Sequence, residues 1–234
     1  AAGRGPGEQP AGGGEERVKL LVISDAPDAG LWDYFSKDKL QGADAIISCG
    51  DLPASYLTFL VTMANRPLFY VHGNHDVRYE NQPPEGCDCI DGHVVEFKGY
   101  RILGLGGSMK YNESPHQYSE RQMKRRISKL ERSLKKGGVD ILVTHSPAQG
   151  LGDMEDVCHR GFACFRELMD KYAPRYLIHG HVHLQYAPDF PRIREYGDTT
   201  IVNASGKYFI ELPDRPQAAL HAAGWKGWIE RRRR

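Results

Sequence analysis

No stretch of this chain approaches the ~18 consecutive apolar residues that a spanning helix needs, so an integral membrane protein is not expected. The opening residues AAGRGPGEQP lack an apolar h-region, and no signal peptide is expected. Cysteine is scarce: Cys49, Cys87, Cys89, Cys158 and Cys164 are odd in number and contain no Cys-x-x-Cys pair. That argues against a disulfide framework and for a reducing, cytoplasmic location. Net charge nearly vanishes, with 31 basic against 30 acidic residues, so any basic surface is local. Hydrophobic residues at 40% and charged residues at 26% exclude a disordered or fibrous whole. What is plentiful is glycine and proline, 26 and 14 of 234 residues, and their placement divides the chain.

Residues 1–17 hold six glycines and two prolines without a large apolar side chain. Such a segment cannot bury enough surface to offset the entropy of ordering it, and it reads as a tail. Residues 214–234 end in four arginines and read as a basic tail. Between them, 18–213 is long enough for one compact domain. Short apolar runs rich in β-branched residues at 18–24, 45–49, 68–72, 101–105, 140–144 and 175–179 suit strands buried on both faces. Helical patterns are expected at 55–64, at 119–136 with Ser119 as cap, and at 161–172 before Pro174. Runs 200–204 and 208–212 read as a hairpin across Ser205-Gly206. The class is α/β.

The carboxyl ends of these runs carry metal-ligating residue types. They are Asp25, Asp51, the Asn74-His75-Asp76 series, His145, and the pair His181 and His183. Loops converge at the carboxyl ends of strands, which is where ligands collect in such sheets. Carboxylate, amide oxygen and imidazole together suit Mn, Fe, Zn, Ni or Co better than Mg or Ca. No cysteine joins the set, which argues against a structural zinc. Two cations ~3.5–4 Å apart can hold the oxygens of a phosphate.

The series Asp-x-x, Gly-Asp, Gly-Asn-His-Asp, Thr-His and Gly-His-Val-His resembles the calcineurin-like metallophosphoesterases over about 18–212. The resemblance implies a four-layer αββα sandwich of two mixed β-sheets flanked by helices. It implies a metal-bound hydroxide attacking a small phosphomonoester or phosphodiester. It also implies roles: Asp51 bridging two metals, with Asn74, His145 and His181 completing one site. Asp25 and His183 would belong to the other, and His75 would donate a proton, its ring oriented by Asp76. One position departs. The family's first motif is Asp-x-His, and here it reads Asp25-Ala26-Pro27. Proline offers a metal nothing, so the second site is expected to be weaker and to favour Mn or Fe, with Asp28 as the nearest replacement ligand or else a helix cap.

Rim residues expected to meet substrate are Arg78, His116, Tyr118 and His159, with Lys110 and Tyr111 on the same loop as His116. Two other readings stand. The eight Lys and Arg of 119–136 offer a surface for nucleic acid and hence a nuclease. The lost imidazole also fits a protein-binding scaffold that no longer catalyses. Cys87-Asp88-Cys89 is expected in a loop as ordinary reduced thiols.

Overall fold

The computed structural model describes residues 17–185 and 190–212, so both expected tails, including the final arginines, lie outside the described residues apart from Arg17. In chain order the elements are β1 (Val18–Ser24), β2 (Ala45–Ser48), α1 (Ala54–Ala64), β3 (Leu68–Tyr70), β4 (Asp88–Cys89), β5 (Val94–Phe97), β6 (Tyr100–Leu105), β7 (Ser108–Met109) and β8 (Gln117–Tyr118). They continue with α2 (Glu120–Gly137), β9 (Ile141–Thr144), α3 (Ala163–Tyr172), β10 (Tyr176–His179), β11 (Ile193–Tyr196), β12 (Thr199–Asn203) and β13 (Gly206–Leu212).

Two mixed sheets result. The first has the order β13-β1-β2-β3-β4, parallel except for β13. The second has the order β11-β12-β10-β9-β6-β5, with a parallel centre and antiparallel edges at β11 and β5. A strand's side chains alternate between faces, and β1 shows the consequence. Leu20 and Val22 join Ile47, Phe69 and Val71 against Ile102, Ile141, Val143, Ile178 and Val202 of the other sheet. Leu21 and Ile23 point the other way, onto Tyr56, Leu57 and Leu60 of α1. On the far side Leu103, Leu142, Leu177 and Ile201 meet Met123 and Leu134 of α2 and Phe165 and Leu168 of α3. This is a four-layer αββα sandwich. Each fully buried Leu or Ile in it contributes about 1.5–3 kcal/mol relative to exposure.

Helix α2 starts where Ser119 predicts. Gln122 N donates to Ser119 Oγ while Ser119 N donates to Gln122 Oε1, a reciprocal cap. No helix among the described residues is long and apolar enough to cross a membrane.

Two expectations are corrected. Runs 200–204 and 208–212 form no hairpin: β12 pairs with β10 and β11, whereas β13 crosses to the other sheet and lies antiparallel to β1. Ser205-Gly206, with Gly206 at φ 73°, marks a bend between sheets rather than a turn within one. The Cys87–Cys89 segment is not all loop, because Asp88 and Cys89 pair with Phe69 and Tyr70. All five cysteines are unpaired thiols.

Candidate metal centre

Strands β1, β2 and β10 each deliver their candidate ligand in the same backbone state. Asp25, Asp51 and His181 have φ of 70°, 58° and 69°, the left-handed region that costs a non-glycine residue about 1–2 kcal/mol. Strain of this kind persists where the surrounding structure overdetermines it, typically at ligand clamps. Two glycines make the close approach possible. A Cβ on Gly73 would lie 1.9 Å from Asp51 Oδ1, and one on Gly180 would lie 1.9 Å from Ser24 Oγ. Any side chain there would push the strand ends apart.

Asp51, His145 and His181 each offer a ligand atom, and these atoms lie within 4.8 Å of one another. His145 is wholly buried. Its Nδ1 donates to Cys49 O at 2.8 Å, which leaves Nε2 toward Asn74 Oδ1 at 2.9 Å and Asp51 Oδ2 at 3.3 Å. His181 Nε2 donates to Cys158 O at 2.7 Å, and the backbone N of His181 donates to Asp25 Oδ1 at 2.8 Å. The second carboxylate oxygen of Asp25 is buried with no hydrogen-bond partner. His183 is half-buried and within electrostatic reach of Asp25.

The electrostatics suit a cation. Burial pushes the Asp25 carboxyl up and pushes the His181 imidazole down to about 3, the latter helped by His145. Burial also opposes charge on Asp51, yet His145 and the His75 backbone N–H hold its carboxyl below the usual range. His145 in turn is raised to about 9, Asp51 outweighing burial. The converging Asp51, His145 and His181, the Asn74 amide oxygen on His145 and the unpartnered Asp25 oxygen offer an oxygen and nitrogen donor set that fits a divalent metal.

The other expected residues fall into place unevenly. His75 N donates to Asp51 Oδ1 at 2.9 Å, and its side chain is exposed. Asp76 does not spend its carboxylate on that ring. Asp76 Oδ2 accepts from Asp51 N at 2.9 Å and Gly73 N at 2.7 Å, joining two ligand loops, and burial beside Asp51 raises it to about 6. Asp28 accepts from Leu31 N at 3.1 Å and from Lys207 Nζ at 2.8 Å, which commits it to a turn and an ion pair. Arg78 is exposed on the 3-10 turn Asp76–Glu80. The ring of His159 lies 5.2 Å from that of His181, and its Nδ1 meets Asp156 at 2.9 and 3.0 Å.

His116 and Tyr118 enter a different cluster. The His116 ring stacks on His72 at 4.4 Å with 5° between planes, and Arg126 covers the Tyr118 ring at 4.4 Å. His72 Nδ1 meets Asp91 Oδ2 at 3.1 Å, while Asp91 Oδ1 accepts from Arg126 Nη2 and from Gly106 N. Motif reading does not find this cluster, nor the Cys49 and Cys158 carbonyls that orient two imidazoles. Backbone groups carry no sequence signal, and the cluster's members have no characteristic spacing. Tyr111, whose hydroxyl accepts from Asn74 Nδ2 at 3.0 Å, is legible only as part of the rim loop.

A two-sheet αββα sandwich with this donor set at the strand ends is the architecture of the metallophosphoesterases. The calcineurin-like phosphoesterase family model (Metallophos) matches residues 18–185, and the chain belongs to that family. Among solved structures it resembles TT1561 of Thermus thermophilus, with TM-score 0.59 and 17% identity over 85% of this chain and 100% of that one. It also resembles GAP50, the anchor in the inner membrane complex of Plasmodium, with TM-score 0.50 and 12% identity over 81% of this chain and 71% of that one. At such identities both speak for the fold alone. Among curated proteins none matches the chain.

Proposed function

We propose that this chain hydrolyses small phosphoesters with divalent cations held by Asp51, Asn74, His145 and His181 at a firm site and by Asp25, Asp51 and His183 at a weaker one. The observation that carries the reading is the convergence of Asp51, His145 and His181, with Asp25, one of its oxygens unpartnered, in electrostatic reach of His145 and Asp51. When bound, such ions supply Lewis acidity and an activated water at neutral pH. The chain's own groups do the rest. The Cys49 and Cys158 carbonyls hold the His145 and His181 rings in orientation. Asp76 fixes the spacing of the Asp51 and Gly73 loops. His75, exposed at the mouth and tethered through its backbone to Asp51, gives a proton to the departing ester oxygen. His159, paired with Asp156 beside His181, meets a phosphoryl oxygen from the other side.

Mn or Fe suits the oxygen-rich second site that Pro27 leaves. The nuclease reading is weaker than the count of basic residues suggests. Arg126 is turned into the Asp91 cluster, and Lys124 and Lys135 are paired with Glu167 and Glu131. A cytoplasmic setting accords with five unpaired thiols. The test is calorimetric titration with Mn alongside hydrolysis of bis-p-nitrophenyl phosphate and p-nitrophenyl phosphate. Expected are one tight and one weak Mn site with turnover of at least one ester, and Pro27→His tightening the weak site about 10-fold. Mn binding without turnover of either ester would favour the scaffold reading, and two equally tight sites in the wild type would remove the weakened-site claim.

A further inference from the structure

The loop between β7 and β8 is anchored to the turn that carries Asn74. At its base Gly107 N donates to His72 O at 2.7 Å, and Ser108 N donates to His116 O at 3.0 Å. The His116 ring then lies flat on the His72 ring. At its tip Asn74 Nδ2 donates to the Tyr111 hydroxyl, while Asn74 Oδ1 faces His145 Nε2. The rim loop therefore holds the amino side of the amide whose oxygen side faces the cluster.

An asparagine amide presents an oxygen in one orientation and two N–H hydrogens in the other. Only the first serves a cation. A phenol can donate as well as accept, so its role depends on its other neighbours. Gln117 Oε1 accepts from the backbone N–H groups of Tyr111 and Asn112, each at 3.1 Å, and those unambiguous donors fix its amide. Gln117 Nε2 donates to Asn112 Oδ1 at 2.8 Å, and Asn112 Oδ1 also accepts from Ser114 N at 2.8 Å. These bonds brace the loop that places the phenol, and with Asn74 Oδ1 turned to His145 Nε2 at 2.9 Å it is Nδ2 that meets the phenol oxygen.

We propose that Tyr111 is a positioning residue of the metal centre: its hydroxyl oxygen accepts from Asn74 Nδ2 and so locks Asn74 Oδ1 toward the cation. This rests on the metal-site reading above. Partners of metal-ligating side chains govern affinity by about 10–100-fold when removed, and Tyr111→Phe removes one oxygen while keeping the ring.

Mn titration of four proteins decides it: wild type, Tyr111→Phe, Asn74→Asp, and Asn74→Asp with Tyr111→Phe. A carboxylate presents oxygen in either orientation, so Asp at position 74 needs no lock. The expected result is a roughly 10-fold or greater loss of Mn affinity in Tyr111→Phe, with a thermal midpoint within about 2 °C of wild type. In the Asn74→Asp background the same change should cost nothing further, a coupling that a merely structural tyrosine does not produce. Equal affinity of Tyr111→Phe and wild type would overturn the proposal, as would an undiminished loss in the Asn74→Asp background. A wild type that binds no Mn would overturn the metal-site reading itself, a separate failure.

Discussion

Two clusters of histidine and aspartate flank the 72–76 turn, and their carboxylates have opposite surroundings. Asp91 is met by a guanidinium, an imidazole and a backbone N–H, so both of its oxygens are occupied from within the protein. Asp25 has one oxygen on a backbone N–H and the other buried without a partner, among imidazoles. Residue types alone do not separate the two. The difference lies in whether the chain brings its own cation. Arg126 closes one cluster into a strut, and the other is the candidate site for a cation from outside.

The largest effect that could break this comparison is at Asp51. Asp51→Asn should remove Mn-dependent ester hydrolysis by ~10³-fold or more, because several kcal/mol of charge stabilisation depend on the cations it would hold. Steady-state rates at saturating Mn check it, and a loss under 10-fold would put the chemistry elsewhere. Next comes Arg126→Met, which leaves Asp91 buried without its guanidinium. It should destabilise the fold by about 3 kcal/mol in urea unfolding while Mn affinity stays within about twofold. A large loss of Mn affinity there would merge the two clusters into one functional unit.

A pH series sharpens the same contrast. Burial opposes the Asp91 charge, but His72, Arg126 and Gly106 N outweigh it and hold the carboxyl below the ordinary value. A depressed folded pKa contributes stability that is complete above the unfolded value of ~3.9 and is lost as pH falls through the folded one. Wild type should therefore lose more stability between about pH 5 and about pH 3 than Asp91→Asn, whose starting stability is lower. Parallel stability curves from denaturant titrations at each pH would contradict this. The smallest effect belongs to His116→Ala. Losing a stacked ring should cost about 1 kcal/mol with kcat/KM nearly unchanged, and a 10-fold fall in kcat/KM would return His116 to the substrate rim.

Much of the fold and of the candidate metal centre is legible in the order of residues alone. The central strands are continuous apolar runs because both faces are covered, and the ligand types stand directly after them. What escapes does so for physical reasons. β4 is two residues long, too short for any periodicity. β11 is a half-exposed edge whose Ile-Arg-Glu-Tyr pattern has no apolar run. Ser205-Gly206 announces a bend, but a bend does not say which strand the chain meets next, and the partner of β13 lies at the other end of the domain. Asp76 next to His75 in sequence suggests an imidazole partner. The 3-10 turn that begins there directs the carboxylate to the amides of Asp51 and Gly73 instead.

The crossing of β13 to the first sheet has a consequence for how the domain comes into being. β1 is the earliest of these strands to be made, yet its neighbour from Val18↔Leu212 to Ser24↔Gly206 is the last. During synthesis that edge of the first sheet stays open, an apolar template for pairing with other chains until residue 212 has emerged. Pairings between such distant segments are also the slow ones to close. A nascent chain halted before Gly206 should therefore aggregate readily, and a chaperone that shields β1 should raise the yield of the whole domain more than one acting on α2 or α3.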